Sequence, residues 1–242
     1  MQPTDKIPVI CAAPSTWTSA ELFNPNSWSG DSKAIIMSCG AEYSALRQCV
    51  ADLSGMCSRA SEICQSRVED VIANWRRAPF DLDRCNYFVE VPSYHLLVKN
   101  FFSGAKSLLD LIVQLLQSEQ LVSAGVHGFH RDGNDYGGRV LRILAKNARK
   151  QRRADAQRID DYLREQKGKW IDELIGLRDD LVHPKKGMLQ LMLQVDLFPK
   201  DGSLAWEVRE PRIATYAPAT LLSIQEFCET FIALVQGYAA RC

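Results

Sequence analysis

The stretch that decides the fold is DAQRIDDYLREQKGKWIDELIGLRDDLVHP, Asp155–Pro184. Ile159, Tyr162, Leu163, Trp170, Leu174, Leu177 and Leu181 recur so that all fall on one face of a helix over 155–182. Pro184 then stops the helix, because proline disfavours helical geometry at the residue before it. The final turn crowds together Arg178, Asp179, Asp180 and His183. Carboxylates are disfavoured in that turn, where the helix dipole is negative. A broken local rule points to a compensating partner or to a site.

Helical periodicity extends upstream. Arg139 to Arg153 reads as a basic helix. Residues 123–138, which hold Gly125, Gly128, Gly133, Gly137 and Gly138, read as a mobile loop. Pro92-Ser93 opens a helix to about residue 118, with Ser93 as its N-cap. Apolar residues surround that helix near Leu108–Leu116, which predicts the central helix of the core. Tyr43, Leu46, Val50, Leu53, Cys57, Cys64, Val68 and Trp75 predict a long amphipathic helix over 41–77. Residues 1–40 carry four prolines with Trp17, Phe23 and Trp28, and are expected to form an arm packing on the body.

Downstream of Pro184 the period changes to two. Leu189, Leu191, Leu193, Val195 and Leu197 alternate with polar residues, Pro199–Ser203 turns, and Leu204, Trp206 and Val208 alternate again. This predicts a β-hairpin over about 188–209. A last helix is expected over 219–240. The fold class is therefore mainly α: four long helices, an additional basic helix, and a hairpin inserted before the last helix. No internal repeat is present.

The 242 residues carry 29 Lys+Arg and 29 Asp+Glu, so nothing in the net charge pulls toward nucleic acid and any such role needs a local patch. None of the eight cysteines forms a C-x-x-C pair. Cys49, Cys57 and Cys64 share a helix face at a spacing too long for a disulfide. They read as reduced, small apolar residues. The N-terminus lacks a basic start followed by an apolar run, and Leu108–Leu116 is too short to span a bilayer. The expectation is a cytoplasmic protein without membrane contact. There is no Gly-rich phosphate loop, nucleophile elbow or HExxH sequence.

Two patches remain. His127, His130, Asp132 and Asp135 fit a metal cluster by charge, but the glycine-rich setting favours a solvated turn, so no metal and no cofactor is expected. Arg139, Arg142, Lys146, Arg149 and Arg153 recur at three and four residues and form one cationic stripe on the basic helix. Such a stripe would hold an RNA strand by its phosphates, or would be an ordinary exposed face. No aromatic residue interleaves it, so base stacking is not indicated.

At the helix end, Arg178 offers a permanent fork-shaped charge suited to phosphate. His183 offers a proton carrier, and Asp179 or Asp180 lies within reach to orient it. The alternative is a C-cap in which Arg178 and His183 neutralise the last carbonyls. The Arg-x4-His spacing at the end of the third core helix resembles the HEPN superfamily (higher eukaryotes and prokaryotes nucleotide-binding), many of whose members are ribonucleases. Asp179 stands where asparagine is commoner. Phe102-x3-Lys106-x2-Leu109-Asp110 is similar to the matching helix of bacterial members, and the resemblance covers about residues 40–240.

That resemblance implies an HEPN-like four-helix bundle and a metal-independent endoribonuclease. The RNA 2′-hydroxyl would attack the adjacent phosphate and leave a cyclic phosphate. His183 would move the proton, Arg178 would stabilise the phosphorane, and Asp179 would orient or polarise. It also implies a homodimer with the motifs near the twofold axis. By analogy it implies a toxin or antiviral-defence role with an antitoxin or defence partner protein. The competing expectation is a non-catalytic HEPN-like dimerisation or nucleotide/RNA-binding module.

Overall fold

The computed structural model describes residues 22–28, 30–74, 92–126, 128–132, 135–151, 154–182, 194–200, 203–209 and 212–241. Side chains are described for 22–28, 30–59, 62, 94–126, 128–130, 135–150, 154–181 and 212–241. His183, Arg153, His127 and the expected strand residues Leu189, Leu191 and Leu193 lie outside the described residues.

The protein is a mainly α-helical bundle. Helix α1, Gly30–Asn74, packs along α2, Pro92–Ser118. The seam of α1 is Ile36, Cys39, Tyr43, Leu46, Val50, Leu53 and Cys57. These positions alternate three and four apart, the spacing that keeps one face turned to a neighbour. The helix thus begins at Gly30, inside the segment expected as an arm, because Ile36 and Cys39 continue the seam upstream of Ala41. Phe23 and Trp28 are buried ahead of it, and Phe23 meets Tyr43 with ring centroids 5.7 Å apart.

Helix α2 is central. Val98, Phe101, Phe102, Ala105, Leu108, Leu109, Ile112, Val113, Leu115 and Leu116 bury most of its circumference. Gly104 lets α1 approach closely: a Cβ there would stand 3.1 Å from Leu46 Cδ2.

A two-residue pairing, Arg131–Asp132 (β1) with Asp135–Tyr136 (β2), interrupts the connection that follows. Helix α3, Gly138–Gln151, buries Val140, Leu141, Leu144 and Ala148. Helix α4, Ala154–Gln166, packs against α3 and buries Ala156, Ile159 and Leu163. A π turn, Lys167–Ile171, carries the chain without a break into α5, Asp172–Val182. The expected helix 155–182 is therefore one continuous helical run that holds a wide turn. The turn falls where the run changes partners, from α3 on one side to α2 on the other.

Strands Gln194–Lys200 (β3) and Ser203–Arg209 (β4) pair antiparallel, with Lys200 opposite Ser203, and β4 runs beside α1.

Helix α6, Ile213–Ala239, closes the bundle against α1, α2 and α4. It starts ahead of the expected 219 and holds Pro218 inside it. Proline costs the helix one hydrogen bond. Burial of Ile213 and Ala217, and stacking of Tyr216 on Phe102 with centroids 5.9 Å apart, override that cost. Among the described residues, α6 alone is long and apolar enough to cross a membrane, but Ile224, Phe227, Phe231 and Val235 are buried against its neighbours.

Candidate functional site

Arg178 and Asp179 occupy the last described turns of α5. Arg178 Nη1 donates to Asp179 Oδ1 at 3.0 Å, and the two side chains are 36% and 30% exposed. The Nε atom of Arg178 is buried and has no hydrogen-bond partner. The guanidinium is thus a half-exposed cation tied to its own neighbour in sequence. An exposed pair of this kind adds only ~0–1 kcal/mol to stability. Asp179 and Asp180 both lie in the negative end of the helix dipole, and Arg178 partly offsets them.

The predicted stripe is on the surface. Arg139, Arg142, Lys146 and Arg149 are all exposed on α3, opposite its buried face. The stripe is not beside Arg178 within one copy. Arg164 Nη2 donates to the Leu141 carbonyl at 3.2 Å, so the start of α3 lies level with Arg164 and the rest runs back toward Ala154. Arg178 lies farther along the helical run in the opposite direction, about 20 Å at a rise of ~1.5 Å per residue.

The glycine-rich connection is anchored, against the expectation of mobility. Phe129 is fully buried, and its N–H donates to Asp110 Oδ1 at 2.9 Å. Lys106 Nζ grips the same carboxylate at 2.5 and 2.6 Å. Gln117 Nε2 donates to the Val126 carbonyl, and Gly137 N–H donates to the His130 carbonyl at 3.0 Å. The glycines serve close packing. A Cβ on Gly128 would collide with the Asp110 carboxylate, and Gly137, at φ +67°, lies against the Phe129 ring. Lys106 and Asp110, on the central helix, therefore fasten this loop.

A second fastening joins Asp135, a candidate metal ligand by its charge, to Lys167 and Asp172, which no sequence motif marks. Lys167, at the start of the π turn, places Nζ 2.7 Å from Asp135 Oδ1 in β2 and 2.7 Å from Asp172 Oδ2. Burial pulls the Lys167 pKa down, but the hydrogen bonds and charges of the two aspartates outweigh it and the net shift is upward. The only available signal was Gly168, a poor helix former inside a strongly periodic run.

His130 is exposed, and among the described residues no group of three or more His, Cys, Asp or Glu side chains could hold a metal ion. A shallow groove of about 390 Å³ lies between α4, the π turn and α6, lined by Tyr162, Gln166, Lys169, Trp170, Glu226 and Glu229. Lys169 is paired with Glu165 at 2.5 Å. Tyr162 and Trp170 pack on Phe227, with centroids 5.9 and 5.7 Å away. The groove holds none of the predicted site residues.

Comparison with protein families, with curated proteins and with solved structures finds no match for this chain.

Proposed function

We propose that the protein is a metal-independent endoribonuclease of HEPN type, acting in the cytoplasm as a homodimer. One observation carries the reading. Arg178 is a permanent cation, half open to solvent at a helix end, with a carboxylate 3.0 Å away and the histidine His183 a few residues on in sequence. In this reading Arg178 meets the scissile phosphate and neutralises the charge that grows on it. His183 takes the 2′-hydroxyl proton or returns one to the leaving 5′-oxygen, and the product is a 2′,3′-cyclic phosphate. Asp179 orients the guanidinium. The exposed cations of α3 hold phosphates of the same strand farther from the cut, so binding is expected to show no base preference. A toxin or antiviral-defence role, with a protein partner that restrains the activity, extends the same reading by analogy.

Incubation of purified protein with mixed RNAs in EDTA tests this, beside Arg178→Ala and His183→Ala. Cyclic-phosphate ends from the wild type alone support it. Cleavage that survives in both variants places the chemistry elsewhere.

The second reading is a non-catalytic dimerisation or RNA-binding module. It is favoured by the Arg178–Asp179 pair itself, in which the cation is already neutralised by its neighbour. Its mark is RNA retention by the α3 stripe with intact RNA recovered.

A further inference from the structure

We propose that Lys167 is a positioning residue for the Arg178–Asp179 segment: its ammonium latches the glycine-rich loop onto the π turn and so fixes the angle at which the end of α5 presents the guanidinium. The inference rests on the reading of that segment as the site.

The geometry starts from the turn. The N–H of Asp172 donates to the Lys167 carbonyl, five residues back rather than four. A π turn accommodates one extra residue. Everything after it is rotated by about 100° relative to an uninterrupted α-helix. Arg178 and Asp179 lie in that rotated part. Wide turns are rare and occur where something holds them.

The holding contact is Lys167 with Asp172. Side chains five apart on an α-helix point about 140° away from each other. Here Nζ and Oδ2 meet at 2.7 Å, a contact that the wide turn makes possible. Returning the turn to α geometry would pull the pair apart, so the ion pair favours the π form. Gly168, next in sequence, offers little resistance to widening.

The same ammonium reaches out of the helix. It bonds Asp135 Oδ1 at 2.7 Å, and its side chain is only 15% exposed between the two carboxylates. Asp135 is held in turn by the β1–β2 pairing, and Gly138 leaves room for its carboxylate, since any Cβ there would come within 2.7 Å of Asp135 Oδ2. Asp110 and Phe129 fix the other side of the loop to α2. The loop thus braces the π turn against the central helix. The helix end can keep its phase while α5 leaves α3 behind and settles on α2.

The test uses the full-length protein and Lys167→Met, Lys167→Arg, Asp135→Asn and a deletion of Gly168. Two readouts are followed: backbone hydrogen exchange over residues 168–182, and kcat and KM for cleavage of a defined RNA. Lys167→Met should speed exchange over 168–182 by about tenfold or more while α2 stays protected. It should lower kcat about tenfold with KM within about twofold, because binding by α3 is untouched. Lys167→Arg should restore much of both, and Asp135→Asn, an exposed change that spares folding, should fall between. Deleting Gly168 removes the one residue that the wide turn accommodates, so the run should return to α geometry with Arg178 at its present phase, and cleavage should persist. Unchanged exchange over 168–182 in both Lys167→Met and Asp135→Asn would overturn the latch, as would loss of cleavage in the deletion variant. If the wild type cleaves no RNA, the site reading fails by itself and the exchange measurement alone decides the latch.

Discussion

Lys167 Nζ stands 2.7 Å from Asp172 Oδ2, five positions farther along the same helical run. On an α-helix these positions diverge by about 140°. The contact therefore marks a place where the helix has changed pitch. Upstream the run packs on α3, and downstream it packs on α2. Two ridges set by one strict period would serve one neighbour well and the other badly. An inserted residue resets the face between them, and the residues reset are those that carry the candidate site.

The loop that braces this turn makes a sharp pair of glycine predictions. Gly137→Ala should destabilise the protein by about 1–3 kcal/mol, because φ +67° is left-handed and the Phe129 ring occupies the space of a Cβ. Gly55→Ala should stabilise it by about 0.5–1 kcal/mol, because Gly55 is inside α1 and nothing stands within 4 Å of its Cβ position. Urea unfolding of both variants reads the two signs. Equal effects would mean that the loop does not pack on Phe129.

Removal of the Asp110 carboxylate should loosen the same loop. Asp110→Ala orphans the Phe129 N–H and leaves Lys106, 12% exposed, without its counter-ion. The expected loss is about 1–3 kcal/mol. Limited proteolysis should then cut within 121–138 before any core helix. Asp110→Asn should recover part of the stability, since an amide oxygen still accepts from Phe129. Resistance to protease in Asp110→Ala would show that the apolar contacts of Phe129 hold the loop unaided.

Much of the bundle was legible in the sequence, and the misses have physical causes. The central helix was plain because apolar residues cover Leu108–Leu116 on nearly all sides, a pattern only a buried helix satisfies. The start of α1 lies upstream of the expected Ala41 because Ile36 and Cys39 extend its seam, a signal short beside the four prolines that precede it. The start of α6 was set late because Pro218 ordinarily excludes a helix interior, yet Tyr216 and Ala217 pack well enough to override it. Glycines around 123–138 suggested mobility, whereas Gly128 and Gly137 are there because Asp110 and Phe129 leave no room for a Cβ. The π turn was invisible because the apolar spacing from Leu163 through Trp170 to Leu174 suits an α-helix. Its pin, Asp135, is far away in sequence. Arg178 and Asp179 stand out in the sequence as candidates, but their separation from the α3 stripe depends on how α4 doubles back on α3, which no local pattern encodes.

Alkali should weaken the core before it affects the surface. Burial pushes the Cys39 thiol up to about 12, the Cys49 thiol to about 11 and the Tyr43 phenol to about 12, from ordinary values of 9.0 and 10.0. Each is neutral when protonated, so the folded state holds its protons where the unfolded chain has begun to lose them. The stability they contribute is intact below about pH 9 and declines as pH rises toward the folded values. Urea midpoints measured from about pH 8 to 11 should fall steadily, and Cys39→Ala should flatten the slope. A thiol reagent should label Cys39, Cys49, Cys57 and Cys228 only as unfolding proceeds, since all four thiols are buried and none is in a disulfide. Rapid labelling at neutral pH with the fold intact would contradict this burial.

The proposed composite site gives a decisive mixing experiment. Five positions separate Arg178 from His183 in sequence, so on one straight helix the side chains would diverge by about 140°. In the proposed dimer, a twofold pairing of helix ends would set Arg178 of one subunit beside His183 of the other. Arg178→Ala and His183→Ala should each abolish cleavage. Because Arg178 is about a third exposed and, among the described residues, pairs only with Asp179, its variant should unfold within about 0.5 kcal/mol of the wild type. When the two dead proteins are mixed and allowed to exchange subunits, half of the dimers are mixed, and each mixed dimer rebuilds one intact Arg–His pair of two. Activity should return to about a quarter of the wild-type level. Were each pair instead built within one subunit, every site in the mixture would lack one member and no activity would return. Light scattering that finds a fully active monomer at assay concentration would dispose of the shared site altogether.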